Sequence, residues 1–204
     1  MQLVIRDVAG EDLERFAGGE DPQDANLQFF RHADLVMYLF DPLTVPFVSG
    51  ALEGLIPRQM QEGVANPADV LMTVLRLVHP GRPNLVIAMS KFDAFSELRR
   101  VSSTALGRVM ASPGSAMVRN PPLSGSFDRE DSLLVHEEVR GLIQEVGADQ
   151  LIKLAEPFPH RFIGISSLGD SPRGESLSAH GISPHRILDP ILWALASKNL
   201  IKVT

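Results

Sequence analysis

Residues 85–93 of this 204-residue chain, LVIAMSKFD, decide its fold. Five apolar residues, 85–89, come first, and the polar Ser90 and Lys91 follow at once. A short apolar run without alternation, ended by polar or turn-forming residues, is typical of a strand in a parallel sheet that is covered on both faces. The stretch therefore predicts a buried parallel strand that ends at a polar edge of the sheet.

Three other short apolar runs predict further strands of the same sheet, at residues 3–5, 35–40 and 162–165. Helix-like segments alternate with these runs, and Asn66-Pro67 supplies a cap and a first-turn proline for one of them. The predicted helices cover residues 22–33, 67–79, 93–110 and 130–147, with a last helix after Ser183-Pro184. Strands that alternate with helices predict a three-layer α/β domain.

One domain, residues 1–204, is expected, with two loop-rich insertions at about 42–66 and 111–129. The second insertion is rich in Pro, Gly and Ser, and this composition predicts a disordered surface loop. The acidic side chains near the fourth helix are interpreted as solvated helix faces and first-turn charges. They are Asp128, Glu130, Asp131, Glu137 and Glu138.

The composition narrows the class of protein. The net charge is −6, which gives no electrostatic reason to expect nucleic-acid binding. The chain has no cysteine, and no apolar stretch approaches the roughly 20 residues of a membrane span. A cytoplasmic protein without a membrane span is therefore expected.

Polar motifs follow three of the four apolar runs. Asp7 and Gly10 belong to DVAG after the first run, residues 90–93 read SKFD, and residues 166–168 read SSL. Because the carboxyl ends of parallel strands meet at one edge of a sheet, we expect these motifs to converge. In this order they resemble the DxxG, [NT]KxD and SA[KL] motifs of P-loop GTPases, whose fold is a three-layer, Ras-like sheet flanked by helices.

The resemblance implies a role for each position. Asp7 would hold the Mg²⁺ that accompanies GTP or GDP, and the Gly10 backbone N–H would reach the γ-phosphate because glycine has no Cβ. The Asp93 carboxylate would accept two hydrogen bonds from guanine and so select the base. The other implied nucleotide-binding residues are Ser90, Lys91, Ser166, Ser167 and Leu168.

Two departures from the GTPase pattern weaken the expected activity. Glu11 stands where many Ras-like GTPases carry the water-orienting Gln, and its carboxylate would face the charge of the γ-phosphate at this implied catalytic position. The GxxxxGK[ST] phosphate loop is absent from these 204 residues. The chain alone is therefore not expected to be a competent GTPase.

The segments DVAGED, HADLVMYLFDPL and RILDPILWAL are similar to the bacterial double-GTPase proteins. This resemblance implies a guanine-nucleotide-binding GTPase-like domain. The alternative is a degenerate pseudo-GTPase that serves as a protein-interaction scaffold.

The absence of the phosphate-loop strand also affects the sheet. In GTPases of this class that strand lies between the strands equivalent to residues 2–6 and 35–40, and without it both have unpaired edges. We therefore expect a fragment completed by a preceding GTPase segment or by another protein subunit. The alternative is that the two strands pair directly in a smaller sheet.

Overall fold

The structure, a computed structural model, describes residues 2–8, 13, 28–56, 66–78, 83–101, 103–119, 126–172 and 181–204. Within these residues, three parallel strands form one sheet in the order β1 (Leu35–Phe40), β2 (Asn84–Met89) and β3 (His160–Gly164). Every residue of β2 is buried, as expected for a central strand with both faces covered. The predicted α/β class with a parallel sheet is confirmed.

Helices connect the strands in the described part of the chain. The α-helices are α1 (Pro46–Ala51), α2 (Pro67–Leu77), α3 (Phe92–Ser96), α4 (Ala105–Met110), α5 (Arg129–Glu145), α6 (Asp149–Ala155) and α7 (Asp189–Ser197). Short 3-10 helices span Gln28–His32, Pro42–Thr44 and Glu97–Arg100. The predicted start of α2 is confirmed, because the Asn66 side chain accepts a hydrogen bond of 2.9 Å from the Ala68 N–H and Pro67 follows it.

Side chains of the strands show which helices cover each face. Tyr38, Ile87 and Phe162 are neighbours across the sheet; the Tyr38 hydroxyl donates to the Pro67 carbonyl, and the Phe162 ring stacks on His136 of α5. On the opposite face, Asn84 bonds to Ser197 of α7. The sheet therefore lies between α2 and α5 on one face and α7 on the other.

The predicted strand at residues 3–5 is wrong. These residues form no strand in the structure, and Leu3, Val4 and Ile5 are 59%, 66% and 71% exposed. Among the described residues β1 pairs only with β2, so the direct pairing of residues 2–6 with 35–40 is wrong as well. Three apolar residues specify a strand only when a neighbouring edge pairs with them, and a short run does not show whether that edge is present.

The single helix predicted over residues 93–110 is divided into α3, the 3-10 helix Glu97–Arg100 and α4. A new helix begins because the Thr104 side chain accepts a hydrogen bond of 2.9 Å from the Gly107 N–H and caps α4. Gly107 permits the tight turn before α4, since a Cβ at this position would lie 2.0 Å from the Val101 carbonyl oxygen.

The disorder predicted for residues 111–129 is wrong for residues 111–119, which the structure describes as turns. Ala116 and Met117 are 2% and 0% exposed and belong to the core. The other insertion also contains ordered structure, because α1 and the 3-10 helix Pro42–Thr44 precede residues 57–65, which lie outside the described residues.

Candidate functional site

The carboxyl ends of the three strands bring together most of the polar residues that the motifs singled out. Asp41 follows β1, Ser90 and Lys91 follow β2, and Ser166 comes two residues after β3. Since the strands are parallel, their carboxyl ends form one edge of the sheet. We call these residues, together with Asp93 and residues 167–169, the sheet-end cluster.

Asp93 and Ser166 form the centre of the sheet-end cluster. The Ser166 hydroxyl donates a hydrogen bond of 2.5 Å to Oδ1 of Asp93, and Asp93 is only 8% exposed. The same Ser166 oxygen accepts hydrogen bonds from the backbone N–H groups of Leu168, at 3.2 Å, and Gly169, at 2.9 Å. One hydroxyl therefore joins the start of α3 to the turn after β3.

Lys91 and Ser90 are also bonded to the neighbouring strand. The Lys91 ammonium lies 2.7 Å from a carboxylate oxygen of Asp41, and the Lys91 backbone has a φ of 51°, in the left-handed region that non-glycine residues seldom adopt. The Ser90 hydroxyl donates to the Phe40 carbonyl at 3.1 Å. These bonds connect the ends of β1 and β2, while Ser167 remains exposed and Leu168 half-buried.

The first motif does not join this edge as part of a strand. Asp7 lies at the end of the exposed stretch 2–7, and its carboxylate accepts a hydrogen bond of 3.0 Å from the N–H of the half-buried Val8. Gly10 and Glu11 lie outside the described residues. The roles implied for these residues and for the sheet-end cluster in binding a nucleotide and Mg²⁺ stay predictions. No three His, Asp or Glu side chains in the described ranges form a cluster suited to a metal ion.

A second polar cluster, which the sequence did not predict, surrounds Arg186, and we call it the Arg186 cluster. The guanidinium is fully buried and lies 2.9 Å from Asp131 of α5 and 2.6 Å from Asp189 of α7. It also donates to the carbonyls of Ala116, at 2.8 Å, and Arg119, at 3.0 Å. A single side chain thus connects two helices with the loop at 111–119.

The electrostatic balance differs at the two carboxylates of the Arg186 cluster. Burial acts to raise the pKa of Asp131, but hydrogen bonds from Arg186 and Arg119 outweigh it and lower that pKa. At Asp189 burial prevails over Arg186 and raises the pKa. Asp131 lies in the first turn of α5 as predicted, but the interpretation that it is solvated is wrong, because this carboxylate is 11% exposed and pairs with a buried cation.

Glu138 fixes the same loop from another side. Its carboxylate accepts hydrogen bonds from the Ser115 hydroxyl at 2.7 Å and from the N–H groups of Ala116 and Met117 at 3.1 and 2.8 Å. The His185 Nε2 lies 2.7 Å from the Met117 carbonyl, which makes Nε2 the donor. The interpretation of Glu138 as a solvated helix charge is also wrong.

The sequence gives only one indication of these contacts, namely that Asp131 and Glu138 lie on the same face of α5. Asp131 and Glu138 are seven residues apart and so lie on one face of a helix with 3.6 residues per turn. Nothing in that spacing indicates the partner, because Arg186 is 55 positions from Asp131 in the chain.

In the described part of the chain, no helix is both long and apolar enough to cross a membrane.

The fold and these two clusters define an α/β domain in which polar and charged side chains brace the sheet edge and an irregular loop. A protein of Mycolicibacterium smegmatis named "Putative ESX-1 scaffolding and assembly protein SaeC" is 38% identical to this chain over 205 residues. The match covers 98% of this chain and 52% of that protein, so the chain spans about half the length of the curated relative. No protein-family profile matches the chain, and no solved structure gives a significant match.

These comparisons correct the sequence interpretation. The relative is named for scaffolding and assembly, and no family profile or solved structure connects the chain with P-loop GTPases. The assignment to the double-GTPase proteins and the GTP-binding function are therefore wrong, and so is the alternative that the chain is a degenerate GTPase. Motifs of three or four residues misled here because Asp and Ser at strand ends also serve as caps and braces, as Asp93 and Ser166 do.

Proposed function

We propose that this chain is a scaffolding domain that binds other proteins during the assembly of an ESX-1-type secretion system. The observation that carries this proposal is the 38% identity to the M. smegmatis protein over 98% of the chain. Because the match extends along almost the whole chain, it supports a shared fold and a shared role rather than one shared motif.

The contacts within the chain agree with a binding platform. The polar groups of the sheet-end cluster bond to one another, and the Arg186 cluster and Glu138 hold residues 115–119 in place. A surface loop that is fixed before binding loses less conformational freedom when a partner docks. This arrangement supports recognition of a macromolecular partner by a rigid surface.

A chimera tests the proposal. In M. smegmatis, the part of the SaeC protein that this chain matches is replaced by residues 1–204, and secretion through ESX-1 is measured in the culture filtrate. We expect the chimera to secrete at a level close to wild type, while deletion of the same part abolishes secretion. A chimera that accumulates to wild-type levels but secretes no better than the deletion would overturn the proposal.

A further inference from the structure

Positive charge is concentrated in one segment of this acidic chain. Residues 97–119 contain four arginines and only one acidic residue, Glu97, so they carry an excess of three positive charges in a chain whose net charge is −6. The arginines are Arg99, Arg100, Arg108 and Arg119. The segment consists of the 3-10 helix Glu97–Arg100, α4 and the loop at 111–119, with residue 102 outside the described residues.

This segment forms a shallow depression of about 240 Å³ that is open to solvent, which we call the arginine pocket. Arg99 and Arg119 line it together with the apolar side chains of Met110, Ala111, Pro113 and Val118. Two cationic groups beside an apolar lining suit a ligand that combines a carboxylate with an apolar side chain.

The two arginines of the pocket are accessible to a ligand. Their side chains are 54% and 56% exposed; Arg99 lies 3.5 Å from Glu97, and Arg119 lies 3.0 Å from Asp131. Only the cationic ends of these ion pairs are exposed, because the side chains of Glu97 and Asp131 are 14% and 11% exposed. Since a guanidinium has five N–H donors, a ligand carboxylate can bind beside these partners without displacing them. Asp131 is in addition paired with the buried Arg186, which reduces its capacity to neutralise Arg119.

The wall of the pocket is rigid, and this is a second reason to regard it as a binding site. Ser115 of the lining donates to Glu138, and the carbonyl of Arg119 accepts from Arg186. A buried charged group is costly to desolvate, and here the buried Arg186, together with the half-buried Glu138, supports an irregular loop rather than a helix or strand. Residues 115–119 of the pocket wall are therefore held by bonds within the chain before any ligand arrives.

We propose that the arginine pocket binds an acidic segment of a partner protein in which an Asp or Glu residue stands next to an apolar residue. This inference rests on the proposed scaffolding function and names the chemistry of one partner. A protein segment is favoured over a nucleic acid or an anionic membrane because the net charge of −6 repels extended polyanions, whereas a short acidic segment meets only the local positive excess.

The test uses the full chain, labelled with ¹⁵N, and two blocked peptides, acetyl-GELELELG-amide and acetyl-GQLQLQLG-amide. We expect the glutamate peptide to shift the Nε–H signals of Arg99 and Arg119 and the backbone signals of residues 110–118 in a saturable way. The glutamine peptide should bind at least about tenfold more weakly, since it lacks the charge-assisted hydrogen bonds. Equal binding of the two peptides, shifts confined to another surface, or no saturable shift up to millimolar peptide would each overturn the inference.

Matched variants distinguish binding at the arginine pocket from nonspecific attraction between the peptide and any arginine of the chain. The double variant R99Q/R119Q should lose about tenfold in affinity for the glutamate peptide, whereas R76Q, which removes an exposed arginine of α2 outside the segment, should bind as the wild type does. Cooperative melting within about 4 °C of the wild type shows that both variants are folded. If the chain bound a short oligo(dT) more tightly than the glutamate peptide, this result would contradict a protein ligand. Tighter binding to vesicles of phosphatidylcholine and phosphatidylglycerol in equal amounts would contradict it as well.

The chimera distinguishes failure of this inference from failure of the proposed function. If the wild-type chimera secretes normally and the R99Q/R119Q chimera also does, the scaffolding function stands and the pocket does not contribute to it. If R99Q/R119Q alone reduces secretion while the protein level is unchanged, the pocket is the surface that the partner uses.

Discussion

The Ser166 hydroxyl and the Asp93 carboxylate lie 2.5 Å apart at the edge of the sheet, and this bond connects the turn after β3 with the start of α3. Both residues are buried, with 2% and 8% of their surface exposed. Hydrogen bonds to a charged acceptor are shorter and stronger than those between neutral groups. Two residues that resembled parts of a nucleotide site therefore brace the fold.

The first prediction concerns this bond. Ser166→Ala removes the donor to Asp93 and the acceptor for the N–H groups of Leu168 and Gly169, so we expect a loss of about 1–3 kcal/mol in the free energy of unfolding. Ser167→Ala, at the exposed neighbour, should change it by less than about 0.5 kcal/mol. Urea unfolding followed by circular dichroism measures both. In a double-mutant cycle with Asp93→Ala, which removes the acceptor, strictly additive losses would show that the two side chains do not interact.

Arg186 is expected to be the most sensitive charged residue. Arg186→Met leaves Asp131 and Asp189 without their buried partner, and breaking a buried pair in this way costs about 3–5 kcal/mol. Arg119 is an exposed cation that pairs with the same Asp131, and Arg119→Gln, which removes this pair, should cost less than about 1 kcal/mol. Equilibrium unfolding compares the two variants, and equal losses would contradict the special role of the buried cation. The 111–119 loop should also be cleaved faster by trypsin at Arg119 in R186M, because the Arg119 carbonyl loses its bond to Arg186.

Stability should fall in mild acid because of His136. Burial, together with the positive charges of Arg161, His160 and Arg140, lowers the pKa of His136 from 6.5 to about 4, and its Nδ1 accepts a hydrogen bond of 3.1 Å from the Phe162 N–H. Between pH 6.5 and 4 the unfolded chain takes up a proton that the folded chain does not. The free energy of unfolding therefore decreases as pH falls through this window, by about 2–3 kcal/mol in total.

The control for this prediction is His136→Asn, whose amide oxygen can accept from the Phe162 N–H without titrating in this range. The pKa of His185 is lowered as well, chiefly by burial, so His185 lowers the free energy of unfolding of both proteins as the pH falls. The difference between wild type and variant thus isolates His136. Parallel pH profiles of the two proteins would show that His136 is not responsible.

Alanine substitutions at two helical glycines should change the free energy of unfolding in opposite directions. In Gly107→Ala the new Cβ meets the Val101 carbonyl oxygen at 2.0 Å, so we expect a loss of about 1–3 kcal/mol despite the higher helix propensity of alanine. In Gly141→Ala on α5 the Cβ meets nothing within 4 Å, and the free energy of unfolding should rise by about 0.5–1 kcal/mol. Thermal melting ranks the variants, and stabilisation by both would contradict the close approach at Gly107.

The sequence predicted those parts of the fold that depend on local patterns. The buried run at 85–89 became the central strand, and Asn66-Pro67 marked the start of α2. Residues 90–93 and 166–168 were correctly expected at one edge of the sheet. In the first two cases residues close together in the chain determine the structure, and in the third the parallel topology of the strands brings their carboxyl ends to one edge.

Features that depend on distant partners were not predictable in this way. Residues 111–119 have the composition of a disordered loop, yet Glu138 and Arg186 order them through contacts formed only in the folded chain. Conversely, residues 3–5 have the composition of a strand but remain exposed. The function was misjudged because motifs of three or four residues do not by themselves distinguish a nucleotide site from an internal brace, and the comparison with a longer relative overturned it.

The central claim, a role in assembly, is tested most directly by gradient sedimentation of ESX-1 components from three M. smegmatis strains. These carry the intact SaeC protein, the deletion of the part that matches this chain, or the chimera with residues 1–204 in its place. We predict that the large complex disappears in the deletion strain and returns in the chimera. A complex that forms without the matched part, in a strain that still fails to secrete, would contradict a scaffolding role.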